Sequence, residues 1–245
     1  SCVVVGGVRR AALISLSDLT DERMRHAKTG QWYTTEQHRS FSNNSAVYNE
    51  KPDIGVFMAE WLSLYNSKSG ERGIVNRIAL QKKAAENERR DPDYAFGVNP
   101  CSEIILRPNG FCNLSEVVVR ENDNMATLER KVELATIIGT LQATLTKFRY
   151  LRNDWKKNAE EERLLGVSLT GIMDNKITNG KVDGLGDSLQ ILKDVAIETN
   201  KNWSKILGIP QSAAVTTVKP SGTVSVLVDS ASGIHSRFSP YYIRT

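Results

Sequence analysis

An α/β fold with at least partly parallel strands is predicted by two observations. Short apolar and β-branched runs alternate with longer segments in which apolar residues recur every three or four positions. Two of those short runs, 2–5 and 164–169, are apolar enough to read as buried strands. Alternating strands and helices favour helices packed on a sheet. A length of 245 residues allows one large domain or two small ones. The chain shows neither an internal repeat nor a low-complexity segment.

Taken in order, 2–5 reads as a strand, Gly6-Gly7 as a turn and Ala11 to Leu16 as a second strand. The charged stretch 20–28 suits a short helix, and 29–45 is polar and loop-like. Ile54, Phe57, Met58, Trp61, Leu62 and Tyr65 give 53–66 a helical period, with Pro52 suited to its start. A loop at 69–73 leads into a short strand near Ile74, and 81–90 reads as a solvated helix or loop. The longest helical signal spans 128–162, carried by Leu134, Ile137, Ile138, Leu141, Leu145 and Phe148, with a break near Asn153-Asp154. An amphipathic helix at 188–207 stops at Gly208 and Pro210. Short strands at 213–218 and 224–228 flank a polar loop.

Composition narrows the function. Hydrophobic residues are 40% and charged residues 24% of the chain, ordinary for a globular protein. No run approaches the roughly 18 apolar residues of a membrane span, and no signal peptide is evident. A net charge of +4 suits phosphorylated small molecules and is too weak to argue for a nucleic-acid groove. Three cysteines, Cys2, Cys101 and Cys112, make no disulfide scaffold and point to the cytoplasm. The histidines are scattered, and no Cys/His spacing resembles a zinc site. The chain opens on an apolar run and closes without a polar tail, so it reads as a piece of a longer protein.

The most chemical stretch is Asn99-Pro100-Cys101-Ser102-Glu103. If extended, it projects Asn99, Cys101 and Glu103 to one side, because side chains alternate with period two. Beyond it, Ile104-Ile105-Leu106, Pro108-Asn109-Gly110 and Phe111-Cys112 read as strand, tight turn and strand, folding Cys112 back toward Cys101. A thiol beside an acid, with a second thiol in reach, suggests redox or radical chemistry. The competing reading is packing, since cysteine is among the most buried residue types. A second candidate is Lys219-Pro220-Ser221-Gly222-Thr223-Val224-Ser225, whose glycine, backbone amides and hydroxyls suit an anion. It lacks the Walker pattern, and an ordinary turn is the alternative.

Taken together, these stretches resemble the catalytic subunit of adenosylcobalamin-dependent ribonucleotide reductases. The resemblance covers nearly the whole chain, through Val5 to Ala12, Asn43-Asn44-Ser45, Ser69-Gly70-Glu71-Arg72-Gly73-Ile74, the Asn99 to Ile104 stretch, Phe111-Cys112-Asn113-Leu114, Arg163-Leu164-Leu165-Gly166-Val167, Pro220 to Ser225 and Ser232-Gly233-Ile234-His235. It implies the C-terminal part of a ten-stranded α/β barrel, one domain over 1–245, with a central finger loop tipped by Cys101. It implies that Cys101 becomes a thiyl radical and takes the ribose 3′-hydrogen, that Glu103 takes the 3′-hydroxyl proton, and that Asn99 holds the ribose hydroxyls. Cys112 becomes one of two reducing thiols, its partner lying upstream of this segment. Ser221, Gly222, Thr223, Val224 and Ser225 cradle the substrate phosphates. Cys2 reads as a core residue, and Tyr241-Tyr242 as packing or substrate-side support.

The resemblance further implies adenosylcobalamin as cofactor, no protein-bound metal, a ribonucleotide substrate, thioredoxin or a similar dithiol as reductant, and deoxynucleotide effectors bound upstream. Nucleic acid and membrane are not expected as partners, and a monomer is favoured over a dimer. Gly222, where diiron-dependent relatives often carry Glu, favours the cobalamin kind, and the match as a whole favours triphosphate substrates. The alternatives are a diphosphate reductase, an inactive nucleotide-binding remnant and a plain thiol oxidoreductase. The last would want a C-x-x-C motif, which is absent.

Overall fold

In a computed structural model, residues 13–86, 88–237 and 239 are described. The expected strand at 2–5, its Gly-Gly turn, Cys2 and Tyr241-Tyr242 lie outside them. The chain divides into two compact units, Ser1–Pro108 and Asn109–Thr245.

The first unit is built on a parallel sheet in the order β1 (Leu13–Ser17), β2 (Ser42–Tyr48), β3 (Gly73–Asn76). Ile14 lies opposite Asn43, and Ala46 opposite Ile74. Between β1 and β2 run two single-turn helices, α1 (Glu22–Arg25) and α2 (Trp32–Thr35), and a 3-10 segment, Gln37–Phe41. The polar loop expected at 29–45 therefore ends in a strand. Ser-Asn-Asn-Ser hides it from a hydropathy reading, because its polar groups are paired inside: the Asn44 amide donates to Glu71 Oε2 at 2.9 Å. That carboxylate also takes Lys28 Nζ at 2.7 Å.

Helix α3 (Ile54–Ser67) starts at Asp53, whose Oδ1 accepts the Gly55 amide at 2.7 Å. Its buried member is Glu60, not the apolar stripe, most of which is exposed. Glu60 accepts Arg72 Nη2 at 2.7 Å and Nε at 2.9 Å, and it also pairs with Arg25. Burial pushes the Glu60 carboxyl up, but the two guanidiniums outweigh it and hold the group below the ordinary carboxylate range. Arg72 also donates to the carbonyls of Asp18 and Leu19, which fixes the chain leaving β1. Helix α4 (Arg77–Ala85) follows β3, capped by Asn76. The unit closes with a short antiparallel pair, β4 (Gly97–Val98) and β5 (Ile105–Leu106).

The second unit pairs β6 (Asn113–Val118) in parallel with β7 (Leu165–Thr170), joined through α5 (Met125–Gln142) and α6 (Asn153–Glu162). Asn124 and Thr127 form a capping box at the start of α5. The single long helix signal thus resolves into two helices, the second beginning where the break was expected. The strand expected at 213–218 runs extended beside β7: Leu165 donates to Ala214 O and Val167 to Val215 O, with one bridge at Thr216. Helix α7 (Leu185–Leu207) ends on left-handed Gly208, as its sequence predicts.

Val117, Val119, Leu165, Val167 and Val215 meet Leu128, Val132, Ala135, Leu192 and Ala196 in one core. Here α5 buries Leu128, Val132 and the small residues Ala135, Thr136, Gly139 and Thr140, and leaves Leu134, Ile138 and Leu141 exposed. Close approach to the sheet favours small residues: a Cβ on Gly139 would stand 3.2 Å from Leu165 Cδ2. Among the described residues no helix is long and apolar enough to cross a membrane.

Candidate active site

In the first unit, Asn99, Cys101 and Glu103 lie on a tip of six residues, 99–104, between β4 and β5. The expected extended run is not there. The Ser102 amide donates back to Asn99 O at 2.8 Å, and Ser102 takes a left-handed φ of 65°. Asn99 closes the tip twice: its amide donates to Ile104 O at 3.3 Å, and its side-chain Oδ1 accepts the Ile104 amide at 2.9 Å. A period-two alternation therefore does not apply. What brings amide, thiol and carboxylate together is the tightness of the turn.

Cys101 is exposed, whereas Asn99 and Glu103 are partly buried. From β2, Asn43 Nδ2 donates to Pro100 O at 3.0 Å, tying the tip to the parallel sheet. Below it, Arg90 Nη2 donates to Ile105 O at 3.0 Å and lies 4.8 Å over the Phe96 ring, while Arg107 lies 4.3 Å over Tyr94. Pro108-Asn109-Gly110 does turn, with Asn109 at φ 59°. The strand after it pairs with β7, however, and β5 pairs with β4, so the expected hairpin between the two cysteines is not formed. Pairing partners four dozen residues apart are invisible to a local reading.

In the second unit, Cys112 leads into β6. Val117, Leu165 and Val167 face the helices, so the opposite face of the sheet carries Cys112, Leu114 and Glu116 beside Gly166, Ser168 and Thr170. Gly166 makes room for the thiol: a Cβ there would stand 2.6 Å from Leu114 Cδ2 and 3.1 Å from Cys112 Sγ. Burial pushes the Glu116 carboxyl above the ordinary carboxylate range, with Lys219 opposing. Gly166 lies in one of the stretches that carry the family resemblance and Lys219 opens the polar loop, but neither strand pairing nor burial is legible there. Glu116 gave no signal beyond being a charge in a strand-like run.

Residues 221–225 leave the end of this sheet. The strand expected at 224–228 is instead a single helical turn, α8 (Val224–Leu227), preceded by left-handed Ser221. A turn is needed here because the Ser225 amide must reach back to Ser221 O, at 3.0 Å. Ser221 Oγ donates to Lys219 O and Ser225 Oγ to Gly222 O, so both hydroxyls brace the loop. Ser168 Oγ accepts the Lys219 amide at 2.9 Å, and Thr170 Oγ1 donates to Ala231 O at 3.2 Å. Gly233, at φ 52°, lies where a Cβ would stand 2.9 Å from the carbonyls of Lys219 and Pro220. Arg237 clamps the far side through Asp174 and Asp229, with Nε 3.0 Å from Asp174 Oδ1. The structure thus places Asn99, Cys101 and Glu103 on one tip in one unit, and Cys112 and the loop 221–225 in the other. No group of metal ligands occurs among the described residues.

No family model matches the chain. An adenosylcobalamin-dependent ribonucleoside-triphosphate reductase of Lacticaseibacillus paracasei is 31% identical over 275 residues, taking in 99% of this chain and 35% of that protein. A probable enzyme of the same name from Dictyostelium discoideum is 27% identical over 99% of this chain and 31% of that protein. The chain thus spans about a third of the length of these relatives. Among solved structures, a B12-dependent class II ribonucleotide reductase aligns with TM-score 0.64 and 22% identity, over 91% of this chain and 34% of that one. The alpha subunit of the Actinobacillus ureae class Id ribonucleotide reductase aligns with TM-score 0.69 and 14% identity, over 94% and 50%. At these identities the solved structures speak for the mixed α/β fold.

Proposed function

We propose that this chain, which belongs to the adenosylcobalamin-dependent ribonucleotide reductases, carries the substrate-reducing centre of a ribonucleoside-triphosphate reductase. The supporting observation is the tip: an exposed thiol between an amide and a carboxyl, on six residues braced from β2 and closed on themselves. Residues 1–245 are read as the C-terminal part of one catalytic domain, within a ten-stranded α/β barrel whose finger loop is the Cys101 tip.

When bound, adenosylcobalamin supplies an organic radical, and the exposed Cys101 thiol is the group here that suits it. As a thiyl radical, Cys101 removes the ribose 3′-hydrogen. Glu103 accepts the proton of the 3′-hydroxyl, easing departure of the 2′-hydroxyl as water. Asn99 Oδ1 is taken by the Ile104 amide, so its Nδ2 is the group that holds the ribose hydroxyls. Cys112 and a second thiol give two electrons and two hydrogens and end as a disulfide, which thioredoxin or a similar dithiol reopens. Residues 221–225 cradle the phosphates. The protein acts in the cytoplasm as a monomer under deoxynucleotide effectors bound outside this segment, with neither nucleic acid nor membrane as partner.

The test is deoxynucleotide formation by the full-length enzyme from CTP and a dithiol, with and without adenosylcobalamin. Product that requires the cofactor, vanishes in Cys101→Ala, and leaves CTP binding in that variant within about twofold is expected. Product without the cofactor, or from Cys101→Ala, overturns the reading. Reduction of CDP in place of CTP replaces it with a diphosphate reductase.

A further inference from the structure

Glu116 has no task in the chemistry above, yet it lies on the sheet face that carries Cys112, roughly 13 Å further along β6 at about 3.3 Å per residue. Its Oε1 is sealed from solvent and accepts no hydrogen bond among the described residues. Directly across the ladder is Ser168, whose Oγ accepts the backbone amide of Lys219. The extended stretch beside β7 turns Thr217 to the same face, its Cγ2 standing 3.1 Å from where a Gly166 Cβ would be. Lys219, two residues on, follows Thr217 in the period of an extended chain. Lys219 also opens the phosphate loop, and Ser221 Oγ donates to its carbonyl.

Resting on the reductase reading, we infer that Glu116 is a positioning residue: it orients the Lys219 ammonium toward the substrate's phosphate chain, making Lys219 a charged phosphate contact beside the amides of 221–225. A lysine stem has many rotamers to lose on binding, and a carboxylate at its base removes that loss beforehand. Lys219 pulls the Glu116 carboxyl down against the burial that raises it, so the two groups act on one another. The arrangement acts on charge along the phosphate chain, so it should be felt by inorganic triphosphate as strongly as by the nucleotide.

The test uses the full-length enzyme with CTP as substrate and inorganic triphosphate as competitor. In Glu116→Gln, which keeps the side-chain volume, KM for CTP and Ki for inorganic triphosphate should rise together by roughly tenfold, with kcat within about twofold. Lys219→Gln should match it, and the double variant should be no worse than either, since both remove one interaction. Unchanged KM and Ki overturn the inference, as does a fall in kcat alone or losses that add in the double variant. A lower melting temperature with Ki unmoved marks a merely structural role and equally overturns it. If the unaltered enzyme makes no deoxycytidine triphosphate, the reductase reading fails. Calorimetric binding of inorganic triphosphate then still decides the role of Glu116.

Discussion

Cys101 and Cys112 stand in different surroundings. Cys101 stands exposed on a tip fixed by four hydrogen bonds, from Ser102, Ile104, Asn99 and Asn43, with little packing around it. Cys112 is partly buried beside Gly166, on a sheet backed by α5 and α7, with its sulfur close against the Gly166 backbone. The difference suits the two roles proposed for them. A thiol that must meet a bulky radical source and a ribose needs access and a fixed direction. A thiol that must close and reopen a disulfide needs a pocket of set size. The comparison breaks first at Cys112→Ser. With a dithiol reductant, steady-state turnover should fall at least 100-fold, because the product-forming step lacks its electrons, while Cys101-dependent exchange of the ribose 3′-hydrogen continues. Turnover at the unaltered rate would remove Cys112 from the mechanism.

Packing around Cys112 is tested separately at Gly166. In Gly166→Ala the new methyl meets Leu114 and the Cys112 sulfur, and overpacking of this kind costs about 1–3 kcal/mol. The melting temperature should drop by several degrees, and turnover that depends on Cys112 should slow more than 3′-hydrogen exchange at Cys101. Equal slowing of both would show that the two thiols are not held independently. An unchanged melting temperature and turnover would show that Leu114 yields and the glycine serves no purpose for the thiol.

Much of this was legible in the sequence, but unevenly. Helix ends with capping chemistry were readable: Asp53, and Gly208 after α7, act locally. Strand β7 was readable because its buried residues are contiguous. Strand β2 was not, since Asn44 and Ser45 are polar yet buried, and the Asn44 backbone amide finds Glu71 in a distant segment. The helical period of α5 was legible but its buried face was not: Leu128, Val132 and small residues pack inward, while Leu134, Ile138 and Leu141 are exposed. At the site, the residue set Asn99, Cys101, Glu103 and Cys112 was legible from its resemblance to a family. Its geometry was not, because the tip is closed by backbone hydrogen bonds and the partner of β6 lies some fifty residues on. Gly166, Ser168, Lys219 and Glu116 share a face only through that long-range pairing.

The hydrogen-bonded side of the comparison is sharpened by Asn43→Ala. Asn43 holds Pro100 O from near the start of β2, opposite Ile14. Losing one such bond removes about 1 kcal/mol of net stabilisation, too little to unfold a unit whose sheet and ion pairs are intact. Cys101 is the next residue along, and small displacements of a reacting atom slow chemistry more than they weaken folding. The expected result is a kcat lowered by about fivefold, with KM for CTP and the melting temperature nearly unchanged. Asn43→Asp sets a carboxylate against the Pro100 carbonyl and should be worse than alanine, since it replaces an attraction by a repulsion. If both variants keep the full kcat, the tip is held by its own closure through Asn99, and β2 contributes nothing to the placement of Cys101.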